Sequence, residues 1–324
     1  MSWRNTAHNL RLGRAAYLLW HAPAGFVRDS IAAGGPLAQW RDLRGMRAMA
    51  QAAPFLPASS LPGDPALPEL HFLTGKRFWY QTAFCLHTLQ SQAQRTFRTV
   101  LHDDGSFDET IVAHLARLFP TAEIRRRADT DARISALLPP AQFPCLHERR
   151  RHYPNILKLT DVHAGARGWR LVLDSDMLFF RRPDFLLAWL AAPDRPLHMV
   201  DVIDSYGYPN ALLESLAGAT LPHLVNVGLT GLCSETIDWE KLERWSRRLI
   251  ETHGTSYYLE QALVAMLLAG RETAVAPAAD YILAPDIREC RAPRAVLHHY
   301  VGGSKRGYFR HAWRAALSRP ASSA

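Results

Sequence analysis

The chain has 324 residues, 48% hydrophobic and 21% charged, with 19 Gly and 21 Pro, a balance that excludes a disordered polymer or a fibrous repeat and leaves room for a large core. Four scattered cysteines, Cys85, Cys145, Cys233 and Cys290, with no Cys-x-x-Cys, exclude a disulfide scaffold or a cysteine-built zinc site and fit buried thiols in a reducing, cytoplasmic setting. The formal charge of +8 suits an anionic partner, while no apolar run approaches the roughly 20 residues of a membrane-spanning helix, and residues 15–27, broken by His21, Pro23 and Gly25, are too short for one or for a signal peptide.

Residues 1–68 begin with Arg-rich segments at helical spacing, Leu10, Leu12, Ala15, Leu18 and Leu19, then Trp40, Leu43, Met46 and Met49. A basic amphipathic helix of this kind can pack on its own domain or touch an anionic membrane peripherally, and both readings stay open. Pro54, Pro57, Pro62, Pro65 and Pro68 then make a linker by composition, with a boundary near residue 69.

From there strands and helices alternate. Strands are expected at 70–74, 97–102 and 122–126, with helices between them that carry Trp79, Ala83, Leu86 and Leu89, then Ile111, His114, Leu115 and Leu118 on one face. A fourth strand runs into Asp174-Ser175-Asp176, and Pro183 starts the next helix. Residues 198–204 form a strand ending in Asp201 and Asp204, and residues 225–232 another; a helix is expected from about 257, a strand at 295–301, and a frayed tail over 312–324. Such alternation predicts a mostly parallel sheet with helices on both faces.

The chemistry concentrates at Asp174 and Asp176, two carboxylates leaving the carboxyl end of a buried strand, where open α/β sheets bind ligands and where a hard divalent cation finds oxygen donors. Lysine is the second signal: against 34 Arg there are four Lys, Lys76, Lys158, Lys241 and Lys305, so each survivor marks a place where a compact ammonium is wanted.

In this order the residues resemble the retaining, nucleotide-sugar-dependent glycosyltransferases of family eight, the glycogenin and lipopolysaccharide galactosyltransferase type. Leu-Asp-x-Asp at Asp174/Asp176, Asn-x-Gly at Asn226/Gly228, an acidic residue then Gln at Glu260/Gln261, and His-x-x-Gly-x-x-Lys at His299, Gly302 and Lys305 follow one another, and Lys158-Leu159 lies where the family carries Arg-Leu. The last motif has a chance expectation of roughly 0.01 in a chain of this composition. The resemblance covers residues 69–311 and implies the α/β GT-A nucleotide-sugar-binding fold behind a helical N-terminal extension.

It further implies transfer of a hexose from a nucleoside diphosphate sugar, UDP the favoured base, to an acceptor that is carbohydrate, lipid-linked or protein. A Mn2+ or Mg2+ ion would be held by Asp174, Asp176 and His299. Thr74, Gly75, Lys76, Lys158, Asp174, Ser175, Asn226, Gly228, Gly302 and Lys305 would contact the donor, with Glu260, Gln261 and Asp201 at the reacting sugar. Glu260 is the candidate nucleophile or oxocarbenium stabiliser; it also suits the positive end of its helix. Spacing selects His299 over His298. Tyr206, Tyr208, Tyr257 and Tyr258 are candidates for a wall on which an acceptor stacks. Strand one departs from the family by ending Thr74-Gly75-Lys76, without its usual Asp and Tyr for the base.

Two rival readings are a haloacid-dehalogenase-type phosphatase built on Asp174-Ser175-Asp176 and a catalytically silent nucleotide-sugar-binding protein. A nucleic-acid partner is not expected, because the one basic run with an aromatic, Arg149 to Tyr153, belongs to no recognised module.

Overall fold

The computed structural model describes residues 35–203 and 206–318. Leu10, Leu12, Ala15, Leu18, Leu19, Asp204 and residues 319–324, about which the sequence raises expectations, lie outside them. Contacts divide the chain into two units, residues 1–51 and 52–324. In the first, helix α1 (Pro36–Ala52) opens on a proline, whose missing N–H would have had no partner there, and carries the expected Trp40, Leu43, Met46 and Met49.

The second unit is an α/β structure on a seven-stranded sheet. Its strands are β1 (Glu69–Thr74), β2 (Thr99–Asp103), β3 (Glu123–Arg125), β4 (Trp169–Leu173), β6 (Leu197–Val200), β7 (Val225–Cys233) and β8 (Ala274–Val275), in the order β3-β2-β1-β4-β7-β6-β8. The first four are mutually parallel, and β7 runs antiparallel to both β4 and β6. A second sheet of β5 (Met177–Phe179), β9 (Tyr281–Leu283) and β10 (Leu297–His299) sets β10 between the other two.

Helix α2 (Trp79–Ala93) packs on β1 and β5. It is followed by α3 (Glu109–Leu118), α4 (Arg127–Leu137), α5 (Pro144–His152), α6 (Leu157–His163), α7 (Asp184–Ala191), α8 (Asn210–Ala217), α9 (Trp239–His253), α10 (Leu259–Leu268) and α11 (Ile287–Arg291). Asp108 and Asp238 cap α3 and α9 by accepting from Ile111 and Lys241 N–H, an arrangement that satisfies one of the orphan donors at each helix start. The apolar stripe of α9, Leu242, Trp245 and Leu249, turns into a core shared with Val225 and Val227 of β7 and with α10. Helix α10 is buried at every position, so Glu260 and Gln261 enter the interior with it.

Three expectations need correcting, and two short strands add to those expected. The proline-rich stretch 54–68 is laid against the sheet unit rather than standing free: Thr96 N–H donates to Pro62 O at 2.8 Å, Ser59 N–H to Leu118 O at 3.3 Å, and Arg117 to Leu56 O at 3.2 Å. Strand β6 shifts register on β7 at a bulge between His198 and Met199, pairs again through Val200, and stops there instead of continuing toward 204, because the Asp201 carboxylate takes the Val202 and Ile203 amides. The apolar residues after Asp176 and before Asp286 form the short strands β5 and β9. The C-terminal stretch is helical, with an α turn at Lys305–Gly307, a π-helical Tyr308–Ala312 and α-helical Trp313–Ser318, in which Trp313 meets the Phe84 ring edge-on at 5.4 Å.

Strand β7 lies between β4 and β6, and its Gly231 stands against Trp189 of α7. A Cβ there would lie 2.4 Å from the Trp189 ring and 3.1 Å from Leu197 Cβ. Gly231→Ala is therefore expected to destabilise the fold by about 1–3 kcal/mol through overpacking; a denaturation midpoint equal to wild type would contradict this packing.

Candidate active site

The two sheets part company at Asp174-Ser175-Asp176. Leu173 still pairs with Leu229 of β7 and Asp174 N–H donates to Gly228 O at 2.7 Å, whereas Met177 already pairs with His299 of β10 and Asp176 O accepts from Tyr300 N–H at 2.9 Å. At this turn both carboxylates gather at His299, while the Ser175 hydroxyl turns to α2. The Ser175 hydroxyl meets Thr82 Oγ1 at 2.8 Å, which also donates to Thr74 Oγ1 at 2.8 Å, so Ser175 and Thr74 tie the β1 and β4 ends to α2.

Strand β10 delivers the imidazole. His299 Nε2 lies 3.3 Å from Asp176 Oδ1 and 3.6 Å from Asp174 Oδ2, and the three ligand atoms fall within 4.8 Å of one another. His298, one residue earlier, faces the opposite side: its Nδ1 meets the Tyr300 hydroxyl at 2.9 Å and its Nε2 meets Glu289 Oε1 at 3.0 Å. Glu289 Oε1 also accepts from Ala295 N–H at 3.0 Å and Glu289 from Arg294 N–H, so one buried carboxylate pins the approach to β10. The His299 ring fits only because residue 228 is glycine, since a Cβ there would stand 2.2 Å from His299 Cε1.

Two hard oxygens and an imidazole nitrogen suit Mn2+ or Mg2+ in kind, and the ring's other nitrogen, Nδ1, is buried with no hydrogen-bond partner. Cations flank the group on both sides. Lys305 Nζ is 3.0 Å from Asp176 Oδ2; Lys158 Nζ is 2.9 Å from Asp174 Oδ1 and 3.1 Å from Glu260 Oε2.

These distances govern the charges. Burial opposes ionisation of Asp176, but His299 and Lys305 hold its carboxyl below the usual range. Burial likewise opposes the Lys158 ammonium, and Asp174 with Glu260 more than reverses it, so Lys158 stays charged. For Glu260 burial wins: the carboxyl is pushed up to about 7, with Asp174 pushing the same way and Lys158 opposing.

Beyond Lys158 and Asp174 the cleft opens into two chambers of about 370 and 350 Å3, in the size range of small-molecule sites. The first contains Thr74, Phe78, Gln81, Asp104 and Lys305; the second contains Asp201, Asn226, Gly228, Glu260, Gln261 and Gly302. In the second, Asp201 Oδ2 accepts from Asn226 Nδ2 at 2.9 Å and from Gln261 Nε2 at 3.1 Å, while Asn226 Oδ1 accepts from Gly228 N–H at 3.0 Å. Asp201, Asn226 and Gln261, far apart in the chain, thus form one fixed polar cluster.

Not every expected residue joins this group. Lys76 is exposed, its ammonium 2.8 Å from Asp108, and it lines neither chamber. Gly75 sits beside the first chamber, against Asp104. Tyr206 and Tyr208 are packing residues, their hydroxyls donating to Pro222 O at 3.0 Å and Gly254 O at 3.2 Å; Tyr257 and Tyr258 do line the second chamber. Tyr153 escaped the sequence reading: its hydroxyl donates to Tyr257 O at 2.5 Å and accepts from Glu260 N–H at 3.2 Å, fixing the first turn of α10. Its place at the end of the basic run hid that role.

No family model matches the sequence, and no curated protein matches it. Among solved structures the chain is similar to the galactosyltransferase LgtC in complex with donor and acceptor sugar analogs, at 16% identity over 79% of this chain and 97% of that one, with a TM-score of 0.46. It is also similar to apo mouse xyloside xylosyltransferase 1, at 11% identity over 73% and 97% with a TM-score of 0.49, and to the apo bifunctional glycosyltransferase WbbM, at 12% identity over 76% and 47% with a TM-score of 0.46. A likeness this distant carries nothing about activity.

Two tests follow from the charges. Removing Lys158 leaves two carboxylates facing each other, so Lys158→Ala is expected to cost about 3–5 kcal/mol in metal-free protein, and Glu260→Gln in that background to recover at least about 1 kcal/mol; strictly additive losses would contradict a buried pair. Glu289, although burial opposes it, is held at about 2 by the Arg294 and Ala295 amides and His298. An unfolded glutamate titrates near ~4.3, so its contribution to stability is complete above about pH 5 and is lost as pH falls toward 2. Glu289→Gln should lower the melting temperature near neutrality and flatten its decline between about pH 5 and 3; an unchanged slope would remove Glu289 from the acid response.

Proposed function

We propose that the chain is a metal-dependent, retaining glycosyltransferase of the GT-A type, moving a hexose from a nucleoside diphosphate sugar, UDP the favoured base, to an acceptor hydroxyl. The observation that carries this reading is the order of groups along one cleft. An acidic pair with a histidine stands at its centre between two lysines, and a preformed cluster of Asp201, Asn226 and Gln261 stands to one side.

The centre meets the needs of a diphosphate leaving group. When the anomeric C–O bond breaks, its electron pair goes to the diphosphate, and the groups that favour the step are those placed where that charge accumulates. A divalent cation bound by Asp174, Asp176 and His299 supplies charge neutralisation there. Lys305 adds a second positive charge, and Gly302 and Gly303, with no heavy atom within 4 Å of where a Cβ would stand, leave their backbone open to a phosphate. In the second chamber Asp201, Asn226 and Gln261 hydrogen-bond the sugar hydroxyls. Glu260, beside the Lys158 ammonium, contributes carboxylate charge to the positive anomeric centre; tied at 3.1 Å to Lys158, it fits the stabilising role better than that of a free nucleophile.

The phosphatase reading lacks the second acidic cluster it needs: among the described residues the one group of His, Cys, Asp and Glu close enough to share an ion is Asp174, Asp176 and His299. Among those residues no helix is long and apolar enough to cross a membrane.

Calorimetric titration of UDP with and without Mn2+ tests the reading. Binding is expected to require the metal and to weaken at least about tenfold in Asp176→Ala, and turnover of UDP-hexoses with metal then separates an enzyme from a silent binder. UDP binding indifferent to both the metal and Asp176 would overturn the assignment.

A further inference from the structure

The first chamber is unlike the second. Leu73, Phe78 and Pro154 give it apolar walls, and Gln81, Asp104 and Asn155 give it a few polar ends, the make-up of a pocket for a flat, partly polar ring. It shares Asn155, Lys158, Asp174 and Tyr257 with the second chamber and has Lys305 on its own side. A molecule whose phosphates lie against Lys305 and the acidic group, with its sugar among Asp201, Asn226 and Gln261, therefore extends its other end here.

Two observations show that the chamber's polar ends are built. Asp104 leaves β2 and reaches over the end of β1, where its carboxylate occupies the space a side chain at residue 75 would need: a Cβ on Gly75 would stand 2.1 Å from Asp104 Oδ2. Glycine at 75 is what admits this carboxylate. Ser106 N–H donates to Asp104 Oδ1 at 3.0 Å, and the Ser106 hydroxyl, which meets the same oxygen, accepts from Lys76 N–H at 2.7 Å. The β1 and β2 loops are thereby sewn together through Oδ1, the whole carboxylate lies over residue 75, and Oδ2 is not the oxygen that holds Ser106. Beside it Gln81, only 3% exposed, bonds Tyr80 through Nε2 at 3.2 Å and holds its amide oxygen buried without a partner.

We propose that Asp104 is the specificity residue for the nucleobase of the donor, and that it selects bases with a ring N–H between polar neighbours, uracil or guanine, over cytosine and adenine. This inference rests on the glycosyltransferase reading of the same cleft. A carboxylate only accepts hydrogen bonds, so it pairs with the ring N–H of uracil or guanine and faces the ring-nitrogen lone pair of cytosine or adenine repulsively. Such a charged acceptor discriminates by setting its oxygen against an N–H in one pair of bases and against a lone pair in the other. Phe78 supplies the face on which the ring lies, and the Gln81 amide can turn either end to the base edge.

Titration of UDP, GDP, CDP and ADP in the presence of Mn2+, with pyrophosphate as the base-free control, tests this on wild type and on Asp104→Asn. The asparagine keeps the turn with Ser106, so the variant is expected to fold. Wild type is expected to bind UDP or GDP at least about tenfold more tightly than CDP and ADP, and the tighter of the two names the base. Asp104→Asn is expected to bring that ratio within about threefold while pyrophosphate affinity holds, and Gly75→Ala, which displaces the carboxylate without removing it, to lose the same discrimination. CDP or ADP binding as tightly as UDP and GDP in wild type, or a full ratio surviving in Asp104→Asn, would overturn the role of Asp104 and leave the reaction standing. Failure of pyrophosphate and all four nucleotides to bind with metal would overturn both.

Discussion

Three carboxylates, Asp174, Asp176 and Glu260, face one cleft, and the repulsion among them is the constraint the rest of the site answers. Two like charges about 4 Å apart repel by about 4 kcal/mol at the effective dielectric of a protein's outer layers, too much for a fold of ordinary stability to carry several times over. The chain meets it with Lys158 buried between Asp174 and Glu260 and with Lys305 against Asp176. What remains is handled by protonation, since Glu260 titrates near neutrality while Asp176 stays ionised. One cleft thus holds a carboxylate committed to charge beside one poised to lose it, each set by what it touches. Lysine fits the inner position because a compact ammonium reaches two carboxylates from a buried stem, where a guanidinium would need a broader socket.

That division could be traced in the sequence as far as local pattern reaches. The strands that matter for position, β1, β2, β4 and β7, lie within two residues of where apolar runs and turn residues place them, because strands buried on both faces carry their signal in consecutive residues. Lysine scarcity also pointed inward, though only for half the set: Lys158 and Lys305 enter the cleft, while Lys76 and Lys241 pair with Asp108 and Asp238 at the surface. Spacing alone chose His299 over His298, and strand alternation sets the His299 imidazole toward the carboxylates and that of His298 toward Glu289.

The rest was illegible for physical reasons. Strands β5 and β9 are three residues long and exist through pairing with β10, whose partners lie far along the chain. Tyr153 and Asp104 act through backbone amides and a glycine in other segments, contacts that no spacing encodes. The early end of β6 is a tertiary effect as well: Val202 and Ile203 are β-branched and apolar, yet they stand more than half exposed, because Asp201 caps their amides and draws the chain out of the sheet.

That departure from the sheet ties the fold to the chemistry. After the bulge in β6, Asp201 N–H donates to Leu224 O at 2.7 Å, and Leu224 is held at a φ of 51°, a left-handed conformation costly for a leucine. The strain is sustained because both its neighbours are anchored, Asp201 through Asn226 and Gln261, and Val225 through its N–H to the Tyr206 hydroxyl at 3.0 Å. Tyr206, a packing residue by burial, therefore helps hold the turn that aims Asp201. Backbone strain just before β7 and the absent side chain of Gly228 within it both serve the same cleft. Where regular strand geometry would have given a smoother sheet, this chain departs from it at the positions that face the space between its two lysines and its polar cluster.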